Sequence, residues 1–95
     1  MKKLYVLIDR NYSPSYRAVQ AGHAVAEYLL QTNDSPQWLN KTLIYVLSDY
    51  LELDIQVLTE MGEELYPFRE PDVMNKITAA ACYSDNKVFN RYEMN

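Results

Sequence analysis

Leu4-Tyr5-Val6-Leu7-Ile8 is an unbroken apolar run that stops at Asp9. Strand-forming residue types in such a run predict a central strand buried on both faces. The polar loop Asp9-Arg10-Asn11-Tyr12 follows it directly, where α/β folds often place a ligand. Ser13-Pro14 then reads as an N-cap with proline at the first helical position. From about Pro14 to Leu30 the period becomes helical. Ala18, Ala21, Gly22, Val25 and Leu29 recur at i, i+3, i+4, i+7 and i+11 and predict one apolar face, widened by Val19, Ala26 and Leu30. So many small residues imply a helix pressed closely onto a sheet. Gly22 costs about 1 kcal/mol relative to Ala in a helix interior, and close approach to a strand would account for it. Arg17, Gln20 and His23, with Glu27 beyond them, form a neighbouring polar stripe at helical spacing.

Thr32 to Pro36 reads as a loop, and Trp38 and Leu39 as a cap on the edge of the core. Thr42 to Leu47 predicts a second strand. Asp49-Tyr50-Leu51-Glu52 has the form of a capping box, followed by a second helix with an apolar stripe of Leu51, Ile55, Leu58 and Met61 and a terminal Gly62. Leu65-Tyr66-Pro67-Phe68 predicts a short edge strand, because its proline suits an edge. Ile77 to Tyr83 predicts a last strand, rich in small residues suited to a closely packed helix. No structure is assigned to the polar tail 85–95. The order strand, helix, strand, helix, strand, strand predicts a small mixed sheet flanked by helices.

Composition narrows the function. The chain has 95 residues, enough for one domain, 1–95. Its formal net charge of −4, with nine scattered Lys and Arg, disfavours a large nucleic-acid footprint. A single cysteine, Cys82, cannot form an internal disulfide and favours a reducing compartment; it reads as a buried strand residue. Lys2 and Lys3 precede too short an apolar run for a signal peptide, and no run approaches the ~20 residues of a membrane span. A cytoplasmic protein is the expectation. The nine tyrosines suggest rings that are buried while their hydroxyls reach water or ligand.

Chemistry-bearing motifs are few. Two glycines cannot build a phosphate-cradling loop, and one His with one Cys gives no metal motif and no cofactor signature. Two clusters remain: Arg17, Gln20 and His23 on the first helix, and Phe68-Arg69-Glu70-Pro71-Asp72 with Asn75, Lys76 and Thr78. Pro71 biases Glu70 toward an extended conformation. If the clusters meet, a carboxylate beside His23 could set its tautomer or charge, and an arginine would suit a phosphate. Each residue also has a purely structural reading. His23 could be a half-buried residue with one partner, Glu70 or Asp72 a turn cap, Gln20 a partner for a strand carbonyl, and Thr78 a strand former.

The segment Arg17-Ala-Val-Gln-Ala-Gly-His-Ala-Val-Ala-Glu-Tyr28 resembles the first-helix motif of type 2 peptidyl-tRNA hydrolases, and the resemblance extends over roughly residues 3 to 83. The late F-R-E-P-D segment looks more like the short relatives encoded by bacteriophages. The resemblance implies a mixed four-stranded sheet with helices on both sides, and hydrolysis of the ester joining a peptide to tRNA. By position, Gln20 and His23 match the family's Gln and His. Glu70 falls near the catalytic aspartate, with Asp72 competing, and Thr78 near the following strand threonine. Arg17 replaces a lysine and cannot give up a proton as lysine can. The loop before the helix also departs from the family's lysine- and glycine-rich one.

These features together predict a hydrolase of a nucleotide-containing substrate. His23, Glu70, Gln20 and Thr78 are its catalytic candidates, and Arg17, Arg69, Asp72, Asn11 and Tyr12 its binding candidates. A small or cyclic nucleotide signal, cleaved in the host cytoplasm by a phage protein to blunt defence, is favoured over peptidyl-tRNA. A non-catalytic module that sequesters a nucleotide is a further alternative. The exposed tyrosines and Trp38 would suit a homodimer.

Overall fold

In the computed structural model, residues 1–32 and 37–95 are described. Most of the Thr32–Pro36 loop lies outside them. The strands β1 (Lys3–Asp9), β2 (Leu43–Ser48), β3 (Tyr66–Glu70), β4 (Lys76–Ser84) and β5 (Glu93–Met94) form one mixed sheet in the order β3-β4-β1-β2-β5. β1 and β2 are parallel, joined through the helix α1 (Pro14–Gln31). β4 runs antiparallel to both β1 and β3, and β5 antiparallel to β2. The helix α2 (Leu51–Glu60) links β2 to β3.

Alternation along β1 divides the core. Leu4, Val6 and Ile8 face α1, together with Ala79 and Ala81 of β4. Tyr5 and Leu7 face the opposite layer, with Val46, Leu51, Leu58, Cys82 and Phe89. The alanines of β4 let α1 lie close to the sheet, as their size predicts.

The buried face of α1 differs from the expected one. Gln20, Ala21, Ala24 and Tyr28 point into the sheet. Ala18, Val19, Gly22, Ala26, Leu29 and Leu30 are exposed. Tyr28 reinforces this rotation. Its ring meets Trp38, Tyr66 and Tyr83 at centroid distances of 6.4, 5.3 and 6.4 Å. One large aromatic with three ring neighbours outweighs the leucines left outside. Gly22 therefore does not mark a close approach: a Cβ built there meets no atom within 4 Å.

Three further expectations are corrected. Asp49 does not open a capping box. The N-cap of α2 is Tyr50, with no side-chain hydrogen bond, because Asp49 instead accepts from Arg10 Nε at 2.5 Å. Met61 is also exposed and lies outside the α2 stripe. Residues 85–95 are ordered into the fold and make the sheet five-stranded. Asn86 caps a 3-10 segment, Lys87–Arg91, by accepting from the Val88 N–H. Phe89 stacks on Tyr5 at 4.2 Å with 6° between the rings. This buried stack holds the tail in place and brings β5 against β2.

Burial also affects titration. Tyr92 is raised to about 12, by desolvation first and then by Asp54. Tyr66 is likewise raised to about 12, by desolvation and then by Glu64. The Cys82 thiol is pushed up by burial and by Glu63, which makes it a poor nucleophile.

Gly22→Ala is expected to stabilise the fold by about 1 kcal/mol, read as a higher urea midpoint at unchanged slope. A phenol whose folded pKa is raised contributes stability that is complete below its unfolded pKa, and this is lost as pH climbs through the folded value. Urea midpoints should therefore fall between pH 10 and about 12. Tyr66→Phe combined with Tyr92→Phe should flatten that fall.

Candidate functional site

Three pairs of side chains fasten α1 to β3. Tyr66, Phe68 and Glu70 alternate along β3, so their side chains share one face. Tyr28 meets Tyr66 edge to face. His23 lies flat on Phe68, with centroids 4.4 Å apart and 9° between the planes. Gln20 donates from Nε2 to Glu70 Oε1 at 3.0 Å.

Gln20 has a second partner because β4 contains a bulge. Phe68 pairs with Ala79, but Arg69 pairs with Ile77, leaving Thr78 as the extra residue. The bulge reverses the alternation of β4. Ile77 points into the α2 layer and Ala79 into the α1 layer. Thr78, adjacent to Ala79 in sequence, also turns toward α1 and donates from Oγ1 to Gln20 Oε1 at 2.6 Å. The amide of Gln20 is thus held at both ends. An ionised carboxylate only accepts, which fixes its NH₂ toward Glu70 and its oxygen toward Thr78. Gln20 and Thr78 are fully buried, and Glu70 is half-buried.

The backbone sets the position of Glu70. Pro71 holds it extended, at φ −88° and ψ 114°. A 3-10 turn, Pro71–Val73, follows, and then Met74 and Asn75 in left-handed conformations, φ 61° and 59°. The Asn75 N–H closes this turn onto the Glu70 carbonyl at 3.0 Å.

Two tyrosines pair at the start of α1. Tyr12 and Tyr16 lie 4.9 Å apart, centroid to centroid. The Tyr16 phenol is pushed up by desolvation and then by the charges of Glu70, Tyr12 and Asp72. Tyr16 stands four residues before Gln20 on the same helical stripe, and that spacing was the available sequence signal for it. Phe68, which carries His23, is the other residue that gains a role only from the structure.

The remaining candidates make other contacts. Arg17 donates to the Arg10 carbonyl at 2.8 Å and to Asn95 Oδ1 at 3.4 Å. It is drawn toward the β1–α1 loop and the C-terminal residue, and its Nε is buried without a partner among the described residues. Arg69 is exposed and donates to the Asn75 carbonyl at 3.2 Å. The Asn11 N–H donates to Asp9 at 2.9 Å. Asn11 lines a cavity of about 320 Å³ with Asp9, Asp49, Tyr50 and Lys76. This cavity lies where β1 and β2 end and their helices leave toward opposite faces of the sheet. Among the described residues, no three His, Cys, Asp or Glu side chains gather so as to hold a metal ion, and no helix is long and apolar enough to cross a membrane.

A half-buried carboxylate held by one amide can accept a proton from a water. A flat imidazole supported by a phenyl ring offers a stacking surface.

Thr78→Val removes the hydroxyl and leaves the Gln20 oxygen buried without a donor. It should destabilise the fold by about 1–3 kcal/mol in urea titration, with Thr78→Ser recovering most of the loss.

Neither the protein-family models nor the curated proteins contain a match to this chain.

Proposed function

We propose that this chain is a hydrolase of a nucleotide-containing substrate, built on a fold like that of type 2 peptidyl-tRNA hydrolases. The observation that carries the proposal is the Thr78–Gln20–Glu70 chain of hydrogen bonds. A fully buried glutamine on a helix is costly unless both ends of its amide are bonded. Here both bonds serve to aim one carboxylate. Glu70 takes a proton from water, whose oxygen attacks the carbonyl carbon or phosphorus of the substrate. The bond to the leaving oxygen breaks, and that oxygen is protonated by Tyr16 or by solvent. Gln20 and Thr78 position the base. The stacked ring of His23 supports a nucleobase, and Arg69 is the nearest arginine in sequence to Glu70 for the charge that develops.

The small-nucleotide reading is supported by charge. The net charge is −4, and Arg17 is committed to protein oxygens. A substrate that needs one or two cationic contacts suits this surface better than a tRNA. Peptidyl-tRNA remains the substrate that the sequence resemblance implies. The engagement of Arg17 with the Arg10 carbonyl and Asn95 favours a third reading, a binder that sequesters a nucleotide without cleaving it.

Incubation with cyclic and linear dinucleotides and with peptidyl-tRNA, followed by mass analysis, distinguishes these readings. Cleaved nucleotide is expected, with kcat lowered about 10²–10⁴-fold in Glu70→Gln and less in Thr78→Val. Release of peptide from tRNA would reassign the substrate, and ligand returned intact would identify a binder. Turnover unchanged in Glu70→Gln would refute the assignment of the base.

A further inference from the structure

The end of the α1–β3 contact farthest from Glu70 holds a different kind of site. Tyr28 lies eight residues beyond Gln20, about 12 Å along the helix. It forms part of a cavity of about 400 Å³, whose walls include Tyr66, Tyr83, Glu63, Glu64 and Lys2. The three tyrosine rings stand at steep angles: Tyr28 and Tyr66 are nearly perpendicular at 85°, and Tyr28 and Tyr83 are inclined at 47°. The hydroxyls of two of them are engaged. Tyr66 donates to Glu64 at 2.9 Å, and Tyr83 donates to the Gln37 carbonyl at 3.2 Å. The rings are thereby fixed as walls.

The chain's own cation shows what these walls attract. The Lys2 ammonium lies 5.6 Å from the centroid of the Tyr83 ring, within the range where a ring face draws positive charge. Lys2 is exposed, so it reaches the ring on a flexible stem from outside. Glu63 and Glu64 are two negative charges on the walls, against one positive charge at Lys2; Glu63 accepts from Cys82 Sγ at 3.6 Å and Asn86 Nδ2 at 3.3 Å, which leaves Glu64 as the carboxylate open to a ligand. The balance is one unit negative. Neither carboxylate has a cationic partner within ion-pair distance among the described residues.

We infer that this cavity binds an organic cation of the alkylammonium class, with its alkyl groups against the half-buried rings of Tyr66 and Tyr83, which the buried Tyr28 supports, and its charge facing Glu64. The inference is independent of the hydrolase reading and concerns a separate part of the molecule. Two physical arguments select this class. A strongly hydrated inorganic cation requires several oxygen ligands to replace its water, and no metal-holding group of side chains is present among the described residues. An alkylated ammonium is weakly hydrated and gains from ring faces. The volume lies within the range of small-molecule sites.

Calorimetric or NMR titration of the full chain with choline and with a trimethyl-lysine peptide tests the assignment. Saturable binding of either below about 10 mM supports it, and the preferred arm tells a free amine from a modified side chain. The neutral carbon isostere of choline, 3,3-dimethylbutanol, should bind at least about 5-fold more weakly, the gain of one cation–π contact. Glu64→Gln and Tyr83→Leu should each weaken choline binding about 3- to 30-fold. Lys2→Ala should tighten it, because it removes the internal competitor, and a structural role for Lys2 would not produce that direction. Glu70→Gln should leave it unchanged. Failure of both probes to bind wild-type protein, equal binding of the neutral isostere, or weaker binding in Lys2→Ala would overturn the inference.

Discussion

The amide of Gln20 governs how α1 sits on the sheet. It is fully buried between a helix and the alanine-rich strand β4. Its donor and acceptor each require a partner there. Glu70 supplies the acceptor and Thr78 the donor. Neither would be in place without two backbone features: Pro71, which holds Glu70 extended, and the bulge, which turns Thr78 toward the helix. With Gln20 inside, the rotation of α1 is set. Tyr28 is then directed inward and the leucines at its C-terminal end outward.

The same end of the sheet, on its β1–β2–β5 side, is organised by arginines. Arg10 joins the loop after β1 to Asp49, at the start of α2, and to Glu93 of β5. Arg17 ties α1 to the Arg10 carbonyl and to Asn95. These contacts gather the termini of four elements around the ends of the parallel strands. They also explain why Arg17, placed by sequence on one stripe with Gln20 and His23, does not share their surroundings. A long side chain turns toward whichever carbonyls lie within its reach, and those belong to segments distant in sequence.

Much of the architecture was legible in the order of residues. The unbroken run of β1, the Ser-Pro start of α1, the proline-marked edge strand and the small residues of β4 each carry a local physical signal, and each element formed where that signal lay. The face of α1 was not legible, because the cost of burying Gln20 depends on partners fifty and fifty-eight positions away. The tail was not legible either. A two-residue strand has almost no propensity of its own, and β5 exists because Phe89 finds the ring of Tyr5. Within the candidate site, the meeting of Gln20, Glu70 and Thr78 could be suspected from residue type. The bulge that permits it leaves no mark in composition, since Ile-Thr-Ala reads as three ordinary strand residues.

The bulge has an evolutionary consequence. Ile77 serves the α2 layer and Thr78 the α1 layer, although they are neighbours in the chain, so core and site are encoded in a common register with one extra residue between them. Loss of that residue would restore regular alternation and return the strand to an ordinary pleat. The hydrophobic layers would then be easier to build, and the carboxylate would lose its support. The scaffold can therefore shed this arrangement in a single step and remain a good sheet. Persistence of the irregularity in a lineage would measure selection on the site itself, separate from selection on folding.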